Sequence, residues 1–137
     1  MNYWLVKSEP DVYGWDHLVK EKEGTWDGVR NYQARNNLKA MKKGDLVLFY
    51  HSQTTKDVVG VAEVSKEFFP DPTTDDAAWV SVKLKPYKKF VEPVTLTAIK
   101  ANEKITELIM LRNGRLSVMP VSKTEFNEIV KMAKTKL

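Results

Sequence analysis

The sequence contains no cysteine, which excludes disulfide bonds and thiolate chemistry. A reducing compartment is the default expectation, so we predict a cytoplasmic protein, nucleoid-associated in a bacterium or nuclear in a eukaryote. Only two histidines are present, His17 and His51, and they are too few for a histidine-rich metal site. No apolar run reaches the roughly 20 residues that span a bilayer, and the N-terminal residues indicate a strand rather than a signal peptide.

The sequence also lacks the short motifs of common enzymes. It has no glycine-rich phosphate loop, no HExxH pair of zinc ligands and no CxxC pair. His51 and Ser52 are adjacent, and neighbouring residues of a strand point to opposite faces, so a nucleophile–base contact between them is not expected. Asp75 and Asp76 lie in a polar stretch without the apolar surroundings that a general acid needs. We therefore expect a binding module rather than an enzyme, with no metal and no cofactor.

Positive charge is concentrated in the second half of the chain. The net charge is +4. Residues 1–79 contain ten Lys/Arg and thirteen Asp/Glu, a net −3, whereas residues 80–137 contain twelve and five, a net +7. This asymmetry indicates a surface for an anionic partner, although a solvated lysine-rich face accounts for it equally well. The residues predicted to form this basic surface are Lys85, Lys88, Lys89, Arg112 and Arg115.

Segment 25–37 has side chains suited to hydrogen bonding, stacking and phosphate contact rather than to a core. It contains one Trp, one Tyr, two Arg, one Gln and three Asn. Gly28 permits a sharp turn, and apolar residues then recur at helical spacing over 34–41. Asn31 is a natural N-cap for that helix. The segment therefore predicts a turn that presents Trp26 and leads into a polar, basic helix, whose N-terminus suits anions.

Hydrophobic patterning predicts an α+β fold, a small mixed barrel of five or six strands flanked by short helices. The predicted strands cover residues 3–7, 46–50, 58–64, 78–85 and the end of 111–120. The strand at 46–50 is expected to be buried on both faces. The strand at 78–85 is interrupted by Pro86 and is expected to continue as an edge strand at 87–91. The predicted helices cover residues 15–22, the stretch after Asn31, two short pieces within 96–109 and a last helix capped by Ser122. Residues 68–76 are predicted to be a loop. Without a repeat or a linker, a single domain over 1–137 is expected.

Four motifs resemble those of the EVE domain. They are YWLVKSEP at residues 3–10, WDGVRNYQARN at 26–36, GDLVLFYHS at 44–52 and RLSVMPV at 115–121. The match spans nearly the whole chain, and the second motif is highly specific; relatives with this pattern include the thymocyte nuclear protein family. The resemblance implies a pseudo-barrel of the PUA-like superfamily, akin to YTH and ASCH domains. It also implies a function, because EVE domains are thought to recognise modified bases in DNA, cytosine derivatives among them.

A protein that recognises one base of a duplex flips that base into a pocket with a flat wall for stacking and a few polar groups. Trp26 is predicted to be the wall; its alternative is a core tryptophan. Tyr32 is either a second wall or a residue of the helix surface. For Asn31 a plain helix cap is an equal alternative, and for Ser8 a loop hydroxyl. The polar residues predicted to contact the base are Ser8, Asn31, His51 and Ser52.

Three further cations, Lys7, Arg30 and Arg35, are predicted to hold flanking phosphates. For Arg35 a solvated helix face, shared with Lys39, is a strong alternative. The remaining tryptophans, Trp4, Trp15 and Trp79, are assigned to the core.

The preferred hypothesis is a monomeric, non-catalytic module that binds nucleic acid and holds a flipped modified base, with cytosine in DNA as the favoured target. Two other functions stay open. One is an RNA-binding domain of the PUA or ASCH type, with or without ribonuclease activity. The other is a sensor of free, nucleobase-like ligands.

Overall fold

The computed structural model describes all residues, 1–137, in six strands and six helices. The strands are β1 (Tyr3–Ser8), β2 (Gly24–Trp26), β3 (Leu46–His51), β4 (Asp57–Pro70), β5 (Val80–Thr95) and β6 (Val118–Val121). The helices are α1 (Pro10–Tyr13), α2 (Trp15–Glu21), α3 (Tyr32–Ala40), α4 (Leu96–Ala101), α5 (Ile109–Arg112) and α6 (Lys123–Met132). The predicted α+β class is confirmed. No helix has the length and apolar character needed to cross a bilayer.

All six strands belong to one sheet, in the order β2-β5-β4-β3-β1-β6. Only β1 and β3 run parallel; the other neighbours are antiparallel. In the parallel pair Ser8 lies beside His51, and the Ser8 carbonyl accepts a 2.9 Å hydrogen bond from the Ser52 N–H. The first and third sequence motifs therefore come together where the carboxyl ends of β1 and β3 lie side by side.

The two long strands, β4 and β5, are bent by irregular pairing. Their register shifts at four places, and such bulges increase the local twist and curvature of a sheet. The short β2 pairs only with residues 82–84 of β5, so the strand beyond Pro86 is a partial edge, as predicted. The segment after α6 lies against it: the N–H of Val91 donates to Oγ1 of Thr135 at 2.9 Å, and that of Glu92 to the Ala133 carbonyl at 3.2 Å.

The core is one cluster of 37 buried side chains, with β3 at its centre. Residues 46–50 are all buried, which confirms the prediction of a strand covered on both faces. Trp4 and Trp15 are core residues, as predicted. The assignment of Trp79 to the core is wrong: it is half-buried and stacks against Tyr32 at the surface, because it precedes β5 rather than lying within it.

Four elements differ from the sequence-based predictions, and one of them is α5, which begins only at Ile109, where the second of the two predicted short helices ends. Gly24–Trp26, predicted as part of a turn, forms the edge strand β2. Helix α1 was not predicted; it begins at Pro10, a residue suited to the first helical position. β4 extends through the predicted loop to Pro70, because Phe69 and Pro70 pair with Ser81 and Val80.

Candidate nucleic-acid interface

A cavity of about 580 Å³ lies where the end of β1, helix α1, strand β2 and the segment before α3 meet. This volume is within the range of small-ligand sites. We call it the Trp26 cavity. Its lining residues are Lys7, Ser8, Val12, Tyr13, Glu21, Glu23, Thr25, Trp26, Asp27, Gly28, Val29, Arg30 and Ser117.

Trp26 is both a core residue and a wall of this cavity. Its side chain is 8% exposed and belongs to the core cluster. The ring lies edge-on to Tyr13, with centroids 5.9 Å apart, and edge-on to Phe49, with centroids 5.6 Å apart. The two sequence-based alternatives for Trp26 are therefore not exclusive, and stacking on a base remains a prediction.

Tyr13 is positioned by a close approach to Gly24. A β-carbon on that glycine would overlap the Tyr13 hydroxyl, so any other residue at this position requires the Tyr13 side chain to move. Burial raises the pKa of the Tyr13 hydroxyl, and the nearby Glu21 raises it further. The phenol is therefore neutral at physiological pH and presents an uncharged aromatic surface beside Trp26.

Asp71 fixes the segment that borders the cavity. Its carboxylate, in a residue only 2% exposed, accepts hydrogen bonds of 2.9 Å from the Gly28 N–H and 2.9 Å from the Arg30 guanidinium. Thr73 donates twice more, through its N–H at 2.7 Å and its hydroxyl at 2.6 Å. Burial alone would raise the pKa of Asp71, but these hydrogen bonds outweigh it and hold the pKa well below its usual range. Gly28, at φ +77°, supplies the predicted sharp turn.

Arg30 also begins a stack of side chains outside the cavity. Its guanidinium carbon lies 5.5 Å from the centre of the Trp79 ring, and that ring lies 4.9 Å from Tyr32. Arg35 lies 5.0 Å from the Tyr32 ring and donates to the Ala78 carbonyl at 3.1 Å. Tyr32 is 62% exposed and lines no part of the Trp26 cavity. The stack joins α3 to the β4–β5 connection.

Other predicted base contacts are dispersed. Asn31 caps α3, with Oδ1 accepting from the Ala34 N–H at 2.9 Å, and lies outside the cavity. His51 also lies outside; its Nε2 accepts from the Trp15 N–H at 3.0 Å. Burial lowers the pKa of His51, against the opposing effects of Asp57 and Asp16.

Of the two predicted serines, only Ser8 lines the Trp26 cavity; its hydroxyl donates to the Tyr13 carbonyl at 2.6 Å. Ser52 lines a neighbouring cavity instead. The structure therefore brings Trp26 and Ser8 together and leaves Asn31, Tyr32, His51 and Ser52 away from them.

Sequence reasoning missed Tyr13 and Asp27 as cavity residues. Burial raises the pKa of Asp27, and the charge of Asp71 adds to this effect. A signal for Asp27 was present, since a carboxylate directly follows the tryptophan predicted to be the wall. The sequence contains no comparable signal for Tyr13, because helix α1 was not predicted.

The predicted phosphate-binding residues occupy different surroundings. Lys7 and Arg30 line the Trp26 cavity. Lys85 pairs with Glu63 at 3.3 Å, and Arg112 with Glu107 at 3.6 Å, so part of the basic surface is already neutralised. The cations Lys88, Lys89 and Arg115 are exposed and form no ion pair.

Comparison with known proteins decides the family. Residues 2–132 match the EVE domain. The chain belongs to the EVE domain family. This EVE domain is 33% identical to mouse thymocyte nuclear protein 1 over 98% of its own length and 74% of that protein. It is 43% identical to a solved protein of Agrobacterium tumefaciens, covering 97% of this chain and 93% of that one, with a TM-score of 0.94.

Human thymocyte nuclear protein 1, solved in complex with 5-methylcytosine-containing DNA, aligns over 100% of both chains with 27% identity and a TM-score of 0.91. A YTH domain of Zygosaccharomyces rouxii, solved with N6-methyladenosine RNA, aligns over 99% of the EVE domain and 86% of its own chain. At 19% identity and a TM-score of 0.61, this second likeness concerns the fold alone.

Proposed function

We propose that this EVE domain is a non-catalytic module that binds DNA and holds one flipped, modified cytosine in the Trp26 cavity. The observation that carries the proposal is the cavity itself: a tryptophan wall, three carboxylates of which Asp27 directly follows that tryptophan, and two flanking cations, in a space suited to one base. The complex of the human relative with 5-methylcytosine-containing DNA supports the choice of partner.

Stacking supplies the sequence-tolerant part of the affinity. An aromatic ring contributes about 1–3 kcal/mol for each base that stacks on it. Trp26 is held at right angles to Tyr13 and Phe49, so its plane is fixed before a base arrives. A preformed wall saves the entropy that ordering a mobile side chain would cost.

Asp27 supplies the discrimination among pyrimidines. Cytosine presents an amino group at position 4, whereas thymine presents a carbonyl oxygen there, and both 5-methylcytosine and thymine carry a methyl group at position 5. A carboxylate accepts a hydrogen bond from the amino group and repels the carbonyl oxygen. Asp27 in the cavity therefore favours a cytosine derivative over thymine.

Lys7 and Arg30 flank the cavity and suit the phosphates of the flipped nucleotide. Arg30 is oriented by Asp71, and its side chain remains 41% exposed, so guanidinium N–H groups are available to a strand that passes the opening. Phosphate contacts of this kind set register and affinity without sequence preference.

Binding to matched duplexes tests the proposal. Three DNA duplexes that differ at one position, with 5-methylcytosine, cytosine or thymine, are compared by fluorescence anisotropy at fixed salt, together with an RNA of the same sequence and the free modified nucleoside. We expect the tightest binding to the 5-methylcytosine duplex. Equal affinity for all three duplexes, or binding of the free nucleoside as tightly as of the duplex, would contradict the proposal.

A further inference from the structure

A second cavity, of about 390 Å³, shares Lys7 with the Trp26 cavity. We call it the lysine cavity. It is formed by the end of β3, the β3–β4 loop, α4 and α5, and three of its lining residues are lysines while none is acidic. The lining residues are Lys7, Tyr50, Ser52, Gln53, Lys56, Leu96, Lys100, Met110, Leu111 and Gly114.

The three lysines have no carboxylate partner. Lys7, Lys56 and Lys100 take part in none of the six ion pairs of the protein. Lys7 donates a hydrogen bond to the Gly114 carbonyl, which holds it in the wall between the two cavities. Burial lowers the pKa of Lys7, so its charged form is destabilised until an anion approaches.

Two hydroxyls complete the lining. Tyr50 is only 3% exposed as a residue, but its hydroxyl is accessible from the cavity, since it forms no hydrogen bond within the protein and is not fully buried. The Ser52 hydroxyl has none either. An accessible hydroxyl without a partner in the protein can donate to an acceptor oxygen that enters the cavity.

The backbone of the β3–β4 loop is also unusual. Gln53 and Lys56 adopt positive φ angles of 70° and 53°, which few residues other than glycine adopt. Both residues line the lysine cavity. Such a conformation is more costly than an ordinary turn and is often retained where it positions a functional group.

We propose that the lysine cavity binds a backbone phosphate of the nucleic-acid strand whose base occupies the Trp26 cavity. Ammonium groups and hydroxyls are the usual partners of phosphate oxygens. Within one nucleotide only a sugar separates the base from its phosphate, and the two cavities are neighbours that share Lys7 as a lining residue. The inference rests on the proposed function, because it assigns the second cavity to the same strand.

Charge removal at Lys56 and Lys100 tests the site, with Lys131→Gln as the matched control. Lys131 lies on α6, lines neither cavity and forms no ion pair, so the control changes the net charge equally. Lys56→Gln and Lys100→Gln should each weaken binding of the modified duplex about tenfold, as expected for one hydrogen bond to a charged group. The slope of log affinity against log salt should fall by about 0.9 for each phosphate that is no longer neutralised. Changes no larger than those of the control would overturn the site.

Tyr50→Phe removes only the hydroxyl. It should weaken binding of the modified duplex while leaving the free energy of unfolding unchanged, because the hydroxyl has no partner within the protein. Unchanged affinity would remove Tyr50 from the site and count against the proposal.

A neutral methylphosphonate, placed on either side of the modified base, identifies the phosphate. If that phosphate contacts Lys100, the loss of binding free energy when the methylphosphonate and Lys100→Gln are combined should be smaller than the sum of the two separate losses. Additive costs at both positions would overturn the assignment to this strand. A failure of the proposed function is seen separately, as an absent preference of the wild-type protein for the modified duplex. Binding of the free 5′-monophosphate of the modified nucleoside without binding of the duplex would also overturn the assignment to a strand.

Discussion

The hydroxyl of Tyr13 occupies the space above Gly24 that any β-carbon at residue 24 would need. Gly24→Ala must therefore displace the Tyr13 ring, which forms part of the Trp26 cavity. We expect a loss of about 1–3 kcal/mol in the free energy of unfolding, as for overpacking elsewhere, and a reduced preference for the modified duplex. Chemical denaturation and duplex binding measure the two effects. Adding Tyr13→Phe, which removes the nearest atom, should restore part of both; no restoration would contradict this account.

Trp26 requires a conservative variant, because it is buried as well as exposed to the cavity. Trp26→Ala should cost about 3–5 kcal/mol of folding stability, which would mask any effect on binding. Trp26→Phe keeps a ring for core packing and reduces the area for stacking, so it should lower affinity for the modified duplex more than for the plain duplex. Unfolding free energies and both affinities are needed. A folded Trp26→Phe protein with wild-type preference would exclude stacking on Trp26.

Asp27→Asn tests discrimination at position 4 of the pyrimidine. The amide keeps an acceptor oxygen and adds an N–H donor, so it tolerates the thymine carbonyl that the carboxylate repels. We expect the ratio of affinities for 5-methylcytosine and thymine duplexes to fall roughly tenfold, within the range for one base contact. Asp75→Asn, at an exposed loop position, is the control for the change in charge. A ratio equal to that of the control would remove Asp27 from base recognition.

His51 predicts a pH dependence of stability. Burial lowers the pKa of His51 below its ordinary 6.5, and neutral Nε2 accepts the hydrogen bond from the Trp15 N–H. Between the folded and unfolded pKa values the unfolded chain binds more protons, so stability is fully present above pH 6.5 and falls as the pH decreases through that window. In His51→Gln the amide oxygen accepts the same bond without titrating, so the decline below about pH 6.5 should become shallower. Denaturation curves at several pH values give the free energy of unfolding as a function of pH. If its decline is as steep in His51→Gln as in the wild type, groups other than His51 cause it.

Lys88 and Lys89 test the basic surface predicted from sequence. Both are exposed on β5 and line neither cavity, so they should contribute to non-specific binding alone. Neutralising both should weaken binding of the modified and the plain duplex alike. The slope of log affinity against log salt should fall by about 0.9 for each phosphate that either lysine had neutralised. Unchanged salt dependence would exclude these residues from the interface.

The sequence was informative where local pattern and final burial agree. The run 46–50 has no polar group except the Tyr50 hydroxyl, and the structure buries all five residues. Asn31 and Ser122 were predicted as helix caps, and each accepts the expected hydrogen bond, from the Ala34 and Glu125 N–H groups. Such features depend on neighbours in sequence, so a single chain is enough to recognise them.

Pairing between strands that are distant in sequence leaves no signal in a local pattern of residues. β2 exists because residues 24–26 pair with residues 82–84, which no local pattern indicates. The same limit applies to the candidate site. Lys56 and Lys100 are 44 positions apart and come together only through packing of the β3–β4 loop near α4, so the lysine cavity could not be anticipated.

The borders of the sheet have a consequence for behaviour at high concentration. An unpaired strand edge is a template on which another chain can add, and proteins limit this risk with short edge strands and proline. Here β2 has three residues, β6 has four and includes Pro120, and the partial edge of β5 contains Pro86 and Pro93. The N–H groups of Val91 and Glu92 are already bonded to residues 133–135. Edge-to-edge aggregation is therefore disfavoured.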